Sequence, residues 1–424
     1  MKNICKVAAV LVFACRIASG QTPDAAAQRI INSEKFKAAQ AFIEKDYDRF
    51  VNEIVQLTEI EAPPFKEEKR AKVYMEMLRQ HGLANVEMDA EGNVMGLRKG
   101  TGGGPLIAIA AHLDTVFPEG TDVKVKKKGT VWSAPGIGDD TRSLAVLLSI
   151  LRAMEAAKFQ TASDILFIGD VGEEGQGDLR GMKYLFQKGP YKDKIKAFMS
   201  LEGGASDRLT NGGVGSKRYR VTFKGPGGHS YGAFGIVNPA FALGNAINKF
   251  SRLQVPSNPK TTFSVGVIGG GTSVNSIPFE SWMEIDMRSE SRPELEKLAE
   301  NFIGLMSEAA DEENKARSTA QGKIELKMEL MGDRPSGETP VTAPLVQQVS
   351  AAIKSFGLNP SFGMSSTDSN IPISLGIPAL TIGAGGRGGR SHSLDEFIDV
   401  EKTSAVKGVT VSLAILLAVA GMQN

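Results

Sequence analysis

Histidine is scarce in this chain, with four copies among 424 residues. His81 follows a predicted helix, in Arg-Gln-His-Gly-Leu, and this position predicts a solvated helix end. His112, His229 and His392 lie instead among glycine, serine and aspartate at predicted loop positions, where binding and catalytic groups are often carried. These three histidines are therefore the candidates for metal binding or proton transfer.

His112 directly follows an apolar segment, residues 106–111, that predicts a buried strand. Open α/β sheets bind their ligands beyond the carboxyl ends of the strands, which is where His112 would lie. Asp114 is two residues further on, so its side chain points to the same side of an extended segment. It could then fix the tautomer of a metal-bound imidazole. Taken alone, the pair is equally compatible with a hydrogen-bonded structural histidine.

Three acidic motifs also follow predicted strands or precede a predicted helix: Gly-Asp-Asp at 138–140, Gly-Glu-Glu-Gly at 172–175 and Leu-Glu-Gly-Gly at 201–204. Carboxylates gathered in one place repel one another unless cations lie between them. Two imidazoles and three carboxylates suit a pair of zinc ions about 3.5–4 Å apart, with one carboxylate bridging them. One acid of the pair Glu173 and Glu174 is then spare and can act as a general base.

His392 completes this cluster from a distant part of the chain. It lies after the last predicted strand, in Gly-Gly-Arg-Ser-His-Ser-Leu-Asp-Glu. Glycines between residues 383 and 389 permit unusual backbone angles next to it.

The order of elements predicts the frame that positions these residues. Helical spacing dominates residues 25–80, and short apolar strands then alternate with helices, which predicts an α/β sheet covered by helices. The pattern changes to longer strands and two helices at residue 214 and returns at residue 333, which predicts an inserted α+β unit. The expected segments are a leader (1–20), the catalytic domain in two parts (21–213 and 333–424) and the insertion (214–332).

The first twenty residues predict a secretory leader, with Lys2 and Lys6 before a short apolar stretch and Ala-Ser-Gly at 18–20. The apolar stretch is too short to cross a bilayer, and we expect no membrane span elsewhere. Both cysteines, Cys5 and Cys15, lie in the leader, so cleavage leaves no thiol for a disulfide or a metal. The predicted location is secreted or periplasmic, and a lipid anchor on Cys15 is the alternative. A net charge of +1 gives no basis for nucleic acid as a partner.

Taken in order, these motifs resemble a family of zinc-dependent co-catalytic exopeptidases and deacylases. The family includes carboxypeptidase G, peptidase T, aminoacylases, acetylornithine deacetylase and succinyl-diaminopimelate desuccinylase. The resemblance covers nearly the whole chain after the leader. Besides the acidic motifs it rests on His-Leu-Asp-Thr at 112–115, Gly-Gly-His-Ser at 227–230 and Ser-His-Ser-Leu-Asp-Glu-Phe at 391–397. It implies an α/β catalytic domain with a mixed sheet and an inserted α+β lid and dimerisation domain, and hence a homodimer.

The resemblance also implies a ligand set for two zinc ions per chain. His112 and Glu202 would hold one ion, and Glu174 and His392 the other. Asp139 would bridge both, and the bond between Asp139 and Asp140 would be cis, as tolerated mainly at functional sites.

Catalytic and substrate-binding roles are carried over in the same way. Asp114 would orient His112, and Glu173 would be the general base. His229 would reach the active site of a dimer partner and stabilise a tetrahedral oxyanion. Asn275 and Arg288 resemble lid residues that hold a substrate carboxylate, although Arg288 alone could be a charge on a strand surface.

One motif departs from the family. Many relatives have Lys-Gly or Met-Lys-Gly after the bridging aspartate, whereas this chain has Asp140-Thr141-Arg142-Ser143. The ligands are unaffected, but the local packing or the edge of the pocket could differ.

Three functions follow from the resemblance. An exopeptidase acting on short peptides, in either the aminopeptidase or the carboxypeptidase direction, is favoured by the leader. A deacylase of N-acyl amino acids would use the same core. A binding protein without activity is the third, and the complete ligand set with Glu173 weighs against it.

Overall fold

The structure is a computed structural model and describes residues 22–423, so the predicted leader lies outside the described residues. The α-helices of this part are α1 (Pro23–Asn32), α2 (Glu34–Lys45), α3 (Tyr47–Thr58), α4 (Glu68–Arg79), α5 (Arg142–Ala156), α6 (Arg180–Gln187), α7 (Pro239–Phe250), α8 (Arg292–Ala316), α9 (Pro344–Lys354), α10 (Asn370–Ser374) and α11 (Lys402–Ala420). The strands are β1 (Ala84–Met88), β2 (Val94–Arg98), β3 (Leu106–His112), β4 (Lys126–Lys128), β5 (Val131–Ser133), β6 (Gln160–Thr161), β7 (Ile165–Asp170), β8 (Ile195–Glu202), β9 (Arg208–Gly213), β10 (Gly215–Lys224), β11 (Gly228–His229), β12 (Thr261–Gly270), β13 (Ser276–Ile277), β14 (Glu280–Ser289), β15 (Glu325–Arg334), β16 (Gly337–Glu338), β17 (Ser361–Ser365), β18 (Ala379–Gly383), β19 (Arg387–Gly389), β20 (Phe397–Asp399) and β21 (Met422–Gln423).

A mixed nine-stranded sheet forms the centre of the catalytic domain. Its strand order is β1-β2-β7-β3-β8-β18-β9-β16, and β17 pairs with β9. The central strands β7, β3, β8 and β18 run parallel, whereas β2 and β9 are antiparallel to their central neighbours. β7 is buried along its whole length because helices cover both faces, as its uninterrupted apolar sequence predicts. The α/β class and the mixed sheet are therefore confirmed.

Helices on the two faces of this sheet bury separate hydrophobic cores. The larger core takes residues from α1 to α5, α9 and α11, and the smaller one lies under α6 and α10. The long helical stretch predicted for residues 25–80 is divided into α1 to α4, and the residues around Pro63 and Pro64 separate α3 from α4. Proline lacks an amide hydrogen and disfavours helix in the residue before it, so the break lies where the sequence places it.

Helix α11 corrects the expectation that no segment after the leader could cross a membrane. Its 19 residues are long and apolar enough to do so. Most of the helix is buried, however, and its apolar side chains belong to the larger core of the catalytic domain. A helix that is buried on most sides is apolar on most sides, so length and composition alone do not distinguish it from a membrane span.

The inserted domain has an antiparallel sheet of four strands, in the order β12-β14-β10-β15, with α7 and α8 packed on it. Its core is separate from those of the catalytic domain and includes Phe223, Phe250 and Phe302. The rings of Phe250 and Phe302 join the two helices, with centroids 4.8 Å apart. The last strand, β15, ends at Arg334, two residues beyond the predicted end of the insertion at 332.

Two details differ from the sequence-based expectations. Strands β4, β5, β19 and β20 form a small antiparallel sheet that was not predicted, because three-residue strands carry too little periodicity. The prediction of a solvated His81 was wrong. His81 is 5% exposed, and its Nδ1 lies 3.2 Å from Oε2 of Glu155, because the end of α4 packs against the end of α5.

Candidate metal centre

The predicted ligands meet at the carboxyl ends of three parallel strands. His112 is the last residue of β3, Glu202 is the last residue of β8, and Glu173 and Glu174 follow β7. β3 lies between β7 and β8, and His112 is level with Asp170 in the register of β3 and β7. The structure therefore brings the carboxyl ends of these three strands to one edge of the sheet.

His112 is 2% exposed and contacts acidic residues through both ring nitrogens. Its Nε2 lies 3.0 Å from Oδ1 of Asp139. Its Nδ1 lies 3.0 Å from the backbone oxygen of Asp114 and 3.6 Å from the Asp114 carboxylate. Asp114 thus fixes the orientation of the ring. The group closest to Nδ1 is its backbone carbonyl, whereas the sequence indicated its carboxylate.

The Asp114 carboxylate has a second partner that the sequence did not reveal. Its two oxygens accept the backbone N–H groups of Glu173, at 3.1 Å, and Glu174, at 2.8 Å. It is fully buried. One side chain therefore holds the His112 turn and the Glu173-Glu174 loop in a fixed relation.

Asp139 lies between the two candidate imidazoles. Its Oδ1 is 3.0 Å from Nε2 of His112, and its Oδ2 is 3.4 Å from Nε2 of His392. The bond to Asp140 is cis, as the resemblance implied. The fully buried Asp140 accepts the His112 backbone N–H at 3.2 Å instead of facing the cluster. Asp139 is thus placed as a bridging ligand would be.

The second predicted ligand pair is in contact. His392 Nε2 lies 2.8 Å from Oε1 of Glu174, and these two residues form one compact group with Asp139. His392 has a φ of 67°, and Gly385 and Gly386 before it are also left-handed. The unusual backbone expected around His392 is therefore present.

Glu202 is the least tightly placed of the five candidate ligands. Two compact groups of potential ligands are present, one of His112, Glu173 and Glu174 and one of Asp139, Glu174 and His392. Glu202 belongs to neither group. Its nearest cationic partner is Arg208, whose Nη2 is 3.6 Å from Oε2. The predicted pairing of Glu202 with His112 stays a prediction.

The donor set fits a pair of zinc ions. Two ligands of a tetrahedral zinc ion at about 2.0–2.1 Å lie roughly 3.3 Å from each other. The nitrogen–oxygen separations around Asp139 and Glu174, from 2.8 to 3.4 Å, bracket that value. Imidazole and carboxylate are both zinc ligands, and no cysteine lies among the described residues.

The close packing of carboxylates and imidazoles changes the pKa values of the residues in this cluster. Hydrogen bonds with Asp139 and Glu174 raise the pKa of His392 to about 10. Burial opposes the charged form of His112, yet hydrogen bonds with Asp114 and Asp139 raise its pKa well above the ordinary value. Burial and the nearby Asp139 raise the pKa of Glu202 to about 7. The raised pKa values of both imidazoles follow from the strong attraction of the surrounding carboxylates for positive charge.

Glu173 is buried next to these ligands and is held by Arg334, which the sequence did not single out. Arg334 Nη1 lies 3.2 Å from Oε1 of Glu173, and Nη2 donates to the Glu173 backbone oxygen. Burial raises the pKa of the Glu173 carboxyl well above its usual value, and Arg334 opposes that rise. Arg334 ends the last strand of the insertion, in Gly-Asp-Arg-Pro, and an arginine at a domain junction was the available signal.

The predicted lid residues His229 and Asn275 lie together and, in the part of the chain that the structure describes, make no hydrogen bond to this cluster. β11 and β13 pair so that His229 is opposite Ser276, and Ser230 donates to the Asn275 backbone oxygen at 2.9 Å. Both residues are exposed. Arg288, on β14, is 43% exposed and pairs with Asp286 at 2.6 Å. Within residues 22–423, none of the three is hydrogen-bonded to a predicted ligand, so their roles stay predictions.

The residues that depart from the family pattern lie behind the metal loop and not in the pocket. Thr141 Oγ1 is 2.7 Å from Oγ1 of Thr58 and donates to the backbone oxygen of Gly136 at 2.9 Å. Arg142 is 2% exposed, and a Cβ on Gly386 would overlap its guanidinium. The residues that differ from the family pattern therefore contribute to the packing beneath the loop that carries Asp139.

Comparison with known proteins agrees with this geometry. Succinyl-diaminopimelate desuccinylase of Leptothrix cholodnii is 27% identical over 233 residues, which are 50% of this chain and 60% of that protein. A hydrolase of Pyrococcus abyssi is 34% identical over 128 residues, 30% of this chain and 34% of its own length. The chain thus spans less than two thirds of the length of these curated relatives.

Solved structures share the fold at low sequence identity. Aminopeptidase PepT from Bacillus cereus has a TM-score of 0.70 and 22% identity, covering 88% of this chain and 99% of that one. The Bacillus subtilis YXEP protein, a dinuclear metal-binding peptidase, has a TM-score of 0.62 and 18% identity, covering 89% and 99%. The family model of Peptidase family M20/M25/M40 matches residues 108–418, which contain every candidate ligand. This chain belongs to Peptidase family M20/M25/M40.

Proposed function

We propose that this protein is a di-zinc hydrolase that cleaves an amide bond of short peptides as an exopeptidase. The observation that carries the proposal is the position of Asp139, within 3.4 Å of both His112 and His392, with the buried Glu173 beside them. Carboxylate and imidazole at these separations can hold two ions, and the additional acid can move a proton.

The bound ions would lower the pKa of water and polarise the amide carbonyl. The chain supplies the remaining steps. Glu173 would accept a proton from the attacking water and return it to the leaving amine. Arg334 orients Glu173 through one hydrogen bond to its carboxylate and one to its backbone oxygen. His229, presented on the lid, would donate to the oxyanion of the tetrahedral intermediate when it reaches an active site.

A dimer through the inserted domain would bring His229 to that position. Strand β12 is an edge strand that pairs only with β14 among the described residues, and it exposes Val267 and Ile268. Phe241 of α7 is a further exposed apolar side chain of the same domain. Exposed apolar edge strands favour pairing with another chain. Ile268→Asp should produce a monomer in sedimentation velocity, and a wild-type monomer would refute the dimer.

The leader supports a secreted or periplasmic enzyme. Lys2, Lys6 and the apolar stretch after them have the composition of a secretory signal. Fractionation of expressing cells and mass spectrometry of the mature N-terminus would test this location. A lipid on Cys15 would establish the anchored form, and an uncleaved cytoplasmic chain would refute both forms.

A deacylase of N-acyl amino acids is the second candidate function. It is favoured by the similarity to a succinyl-diaminopimelate desuccinylase and by the pair Asn275 and Arg288, which could hold a substrate carboxylate. A binding protein without activity is the most remote candidate, because it has no need for a buried acid such as Glu173 beside the ligands.

The deciding experiment offers the zinc-loaded protein a mixed panel of di- and tripeptides and N-acyl amino acids, with and without chelator. Release of single residues from peptides, abolished by chelator, is expected, and the residue released gives the direction. Cleavage of the acylated compounds alone would establish the deacylase. No cleavage of either would refute both activities.

Two variants test the assigned roles. Glu173→Gln should abolish turnover while zinc remains bound, and near-normal turnover would contradict a general base. Glu119→Gln, at an exposed glutamate, is its control. His229→Ala should lower kcat by about 10²–10³-fold with the zinc content unchanged. An unchanged kcat would contradict the oxyanion role.

A further inference from the structure

Glu396 is a buried acid that contacts no ligand side chain and has no role so far. It is 1% exposed, and within residues 22–423 it forms no salt bridge. Its carboxylate accepts three backbone hydrogen bonds instead, from Gly136 at 3.1 Å, Gly138 at 2.7 Å and Asp139 at 2.8 Å. A buried carboxyl group that accepts only peptide N–H groups fixes the positions of those groups through its hydrogen bonds.

Those three donors belong to the loop that carries the candidate bridging ligand. Residues Ile137–Thr141 form a single irregular turn in which Asp139 and Asp140 have non-helical backbone angles. A regular helix ladder therefore does not fix the Asp139 backbone. Instead, the backbone N–H groups of Asp139 and Gly138 both donate hydrogen bonds to Oε1 of Glu396. Glycine at 138 permits this approach, since a Cβ there would be 3.1 Å from the same oxygen.

Glu396 is also tied to the turn that carries His392. Its N–H donates to the backbone oxygen of Ser393 at 3.0 Å, and Ser393 donates to Arg390 at 3.1 Å. On the other side, the backbone oxygen of Glu396 accepts from Ala134 at 3.1 Å, which extends the pairing of β20 with β5. The side chain and backbone of this one residue thus join two loops that are about 250 residues apart in sequence.

We infer that Glu396 is a positioning residue that sets Asp139 against His392 and so determines the affinity of the metal site that these two ligands share. The inference rests on the proposed metal centre. Partners that orient ligands without binding the metal contribute about 10–100-fold to metal affinity. The effect should be largest for the ion held by Asp139, Glu174 and His392, because the Glu396 side chain holds the Asp139 loop against the turn that carries His392.

The test compares Glu396→Gln and Glu396→Ala with Glu401→Gln. The glutamine variant keeps one acceptor oxygen but turns an NH₂ group toward a backbone donor, whereas the alanine variant loses all three bonds. Glu401 is the matched control, because its carboxylate also accepts two backbone N–H groups, from Thr403 and Ser404 at the start of α11. It lies outside the metal loops.

Binding is measured with Co²⁺ by absorption titration and with Zn²⁺ by competition against a chromophoric chelator. We expect two ions per wild-type chain, with one of them about 10–100-fold weaker in Glu396→Gln and weaker again in Glu396→Ala. Glu401→Gln should match the wild type. Added metal should restore the turnover of Glu396→Gln, which a globally misfolded protein would not recover.

Thermal unfolding of the metal-free proteins separates a local from a global effect. If Glu396→Ala does not fold, Glu396→Gln alone decides. Equal affinities of wild type and Glu396→Gln for both ions, or an equal loss in Glu401→Gln, would overturn the inference. A wild-type protein that binds no metal would instead refute the proposed function, so the two failures are distinguishable.

Discussion

The contact between Arg334 and Glu173 makes the proposed general base depend on the strand that leaves the inserted domain. Arg334→Met keeps most of the side-chain volume and removes the charge, which lies 3.2 Å from the carboxylate. A neighbouring cation lowers the pKa of a carboxyl by about one to three pH units, so its loss should raise the pKa of Glu173 by that amount. Burial already acts in the same direction.

The consequence for activity follows from the sign of this change. A general base works only when it is ionised, so the acid limb of kcat/KM should move to higher pH by about one to three pH units. At a pH below that limb, each pH unit lowers the ionised fraction, and hence the rate, about tenfold. The assay is the pH dependence of kcat/KM for the wild type, Arg334→Met and Arg334→Lys. Arg334→Lys keeps the positive charge, so its acid limb should lie close to that of the wild type.

A matched control separates charge from a general disturbance of the loop. Arg218 contacts the same loop, through the backbone oxygen of Gly175 at 2.7 Å, but does not contact Glu173. Arg218→Met should leave the acid limb in place. If Arg334→Met also leaves it in place, or if Arg218→Met moves it equally, the electrostatic role of Arg334 is refuted.

Metal removal and the surrounding ion pairs give four further expectations. Chelator should lower the melting temperature, and zinc at about one hundred times its Kd should restore about 2.7 kcal/mol of unfolding free energy for each site filled, measured by calorimetry. Because the pKa values of His112 and His392 are raised and that of Glu202 is about 7, we expect metal binding at neutral pH to release at least two protons from the candidate ligands. Titration calorimetry in buffers of different ionisation enthalpy counts these protons. Since the pKa of His392 is higher in the folded protein than in the unfolded chain, protonation of this ring favours folding. The metal-free protein should therefore lose stability as the pH rises from about 6.5, the ordinary histidine value, toward 10. Arg152→Met, far from the ligands, breaks buried contacts to Asp46 and Glu53 and should reduce stability by about 3 kcal/mol in urea unfolding, with kcat unchanged.

Most of the candidate site could be predicted from the sequence, because its ligands follow strands whose apolar segments are easily recognised. The ends of β3, β7 and β8 place His112, Glu174 and Glu202 at one edge through sheet topology alone. Asp139 and His392 come from irregular loops, and only the motifs around them indicated that they would join the cluster. The resemblance, rather than periodicity, was decisive for these two residues.

The supporting residues could not be predicted, because their importance lies in backbone contacts. Glu396 lies within a motif that was recognised, but its partners are amide groups of residues 136–139, and amides have no sequence signature. Arg334 could be read as a surface charge until the fold buried it against Glu173. The burial of His81 was missed for the same reason, since only tertiary packing brings Glu155 to the end of α4.

The separation of the ligands along the chain has a consequence for biosynthesis. His112 and His392 are 280 positions apart, and the inserted domain, with a core of its own, lies between them. As the chain leaves the ribosome, the first part of the catalytic domain and then the insertion can become compact, while the centre still lacks His392 and its surrounding turn. The candidate centre is therefore incomplete until the chain has been synthesised beyond residue 392, and a product that terminates before that point lacks one predicted ligand however well its individual domains fold.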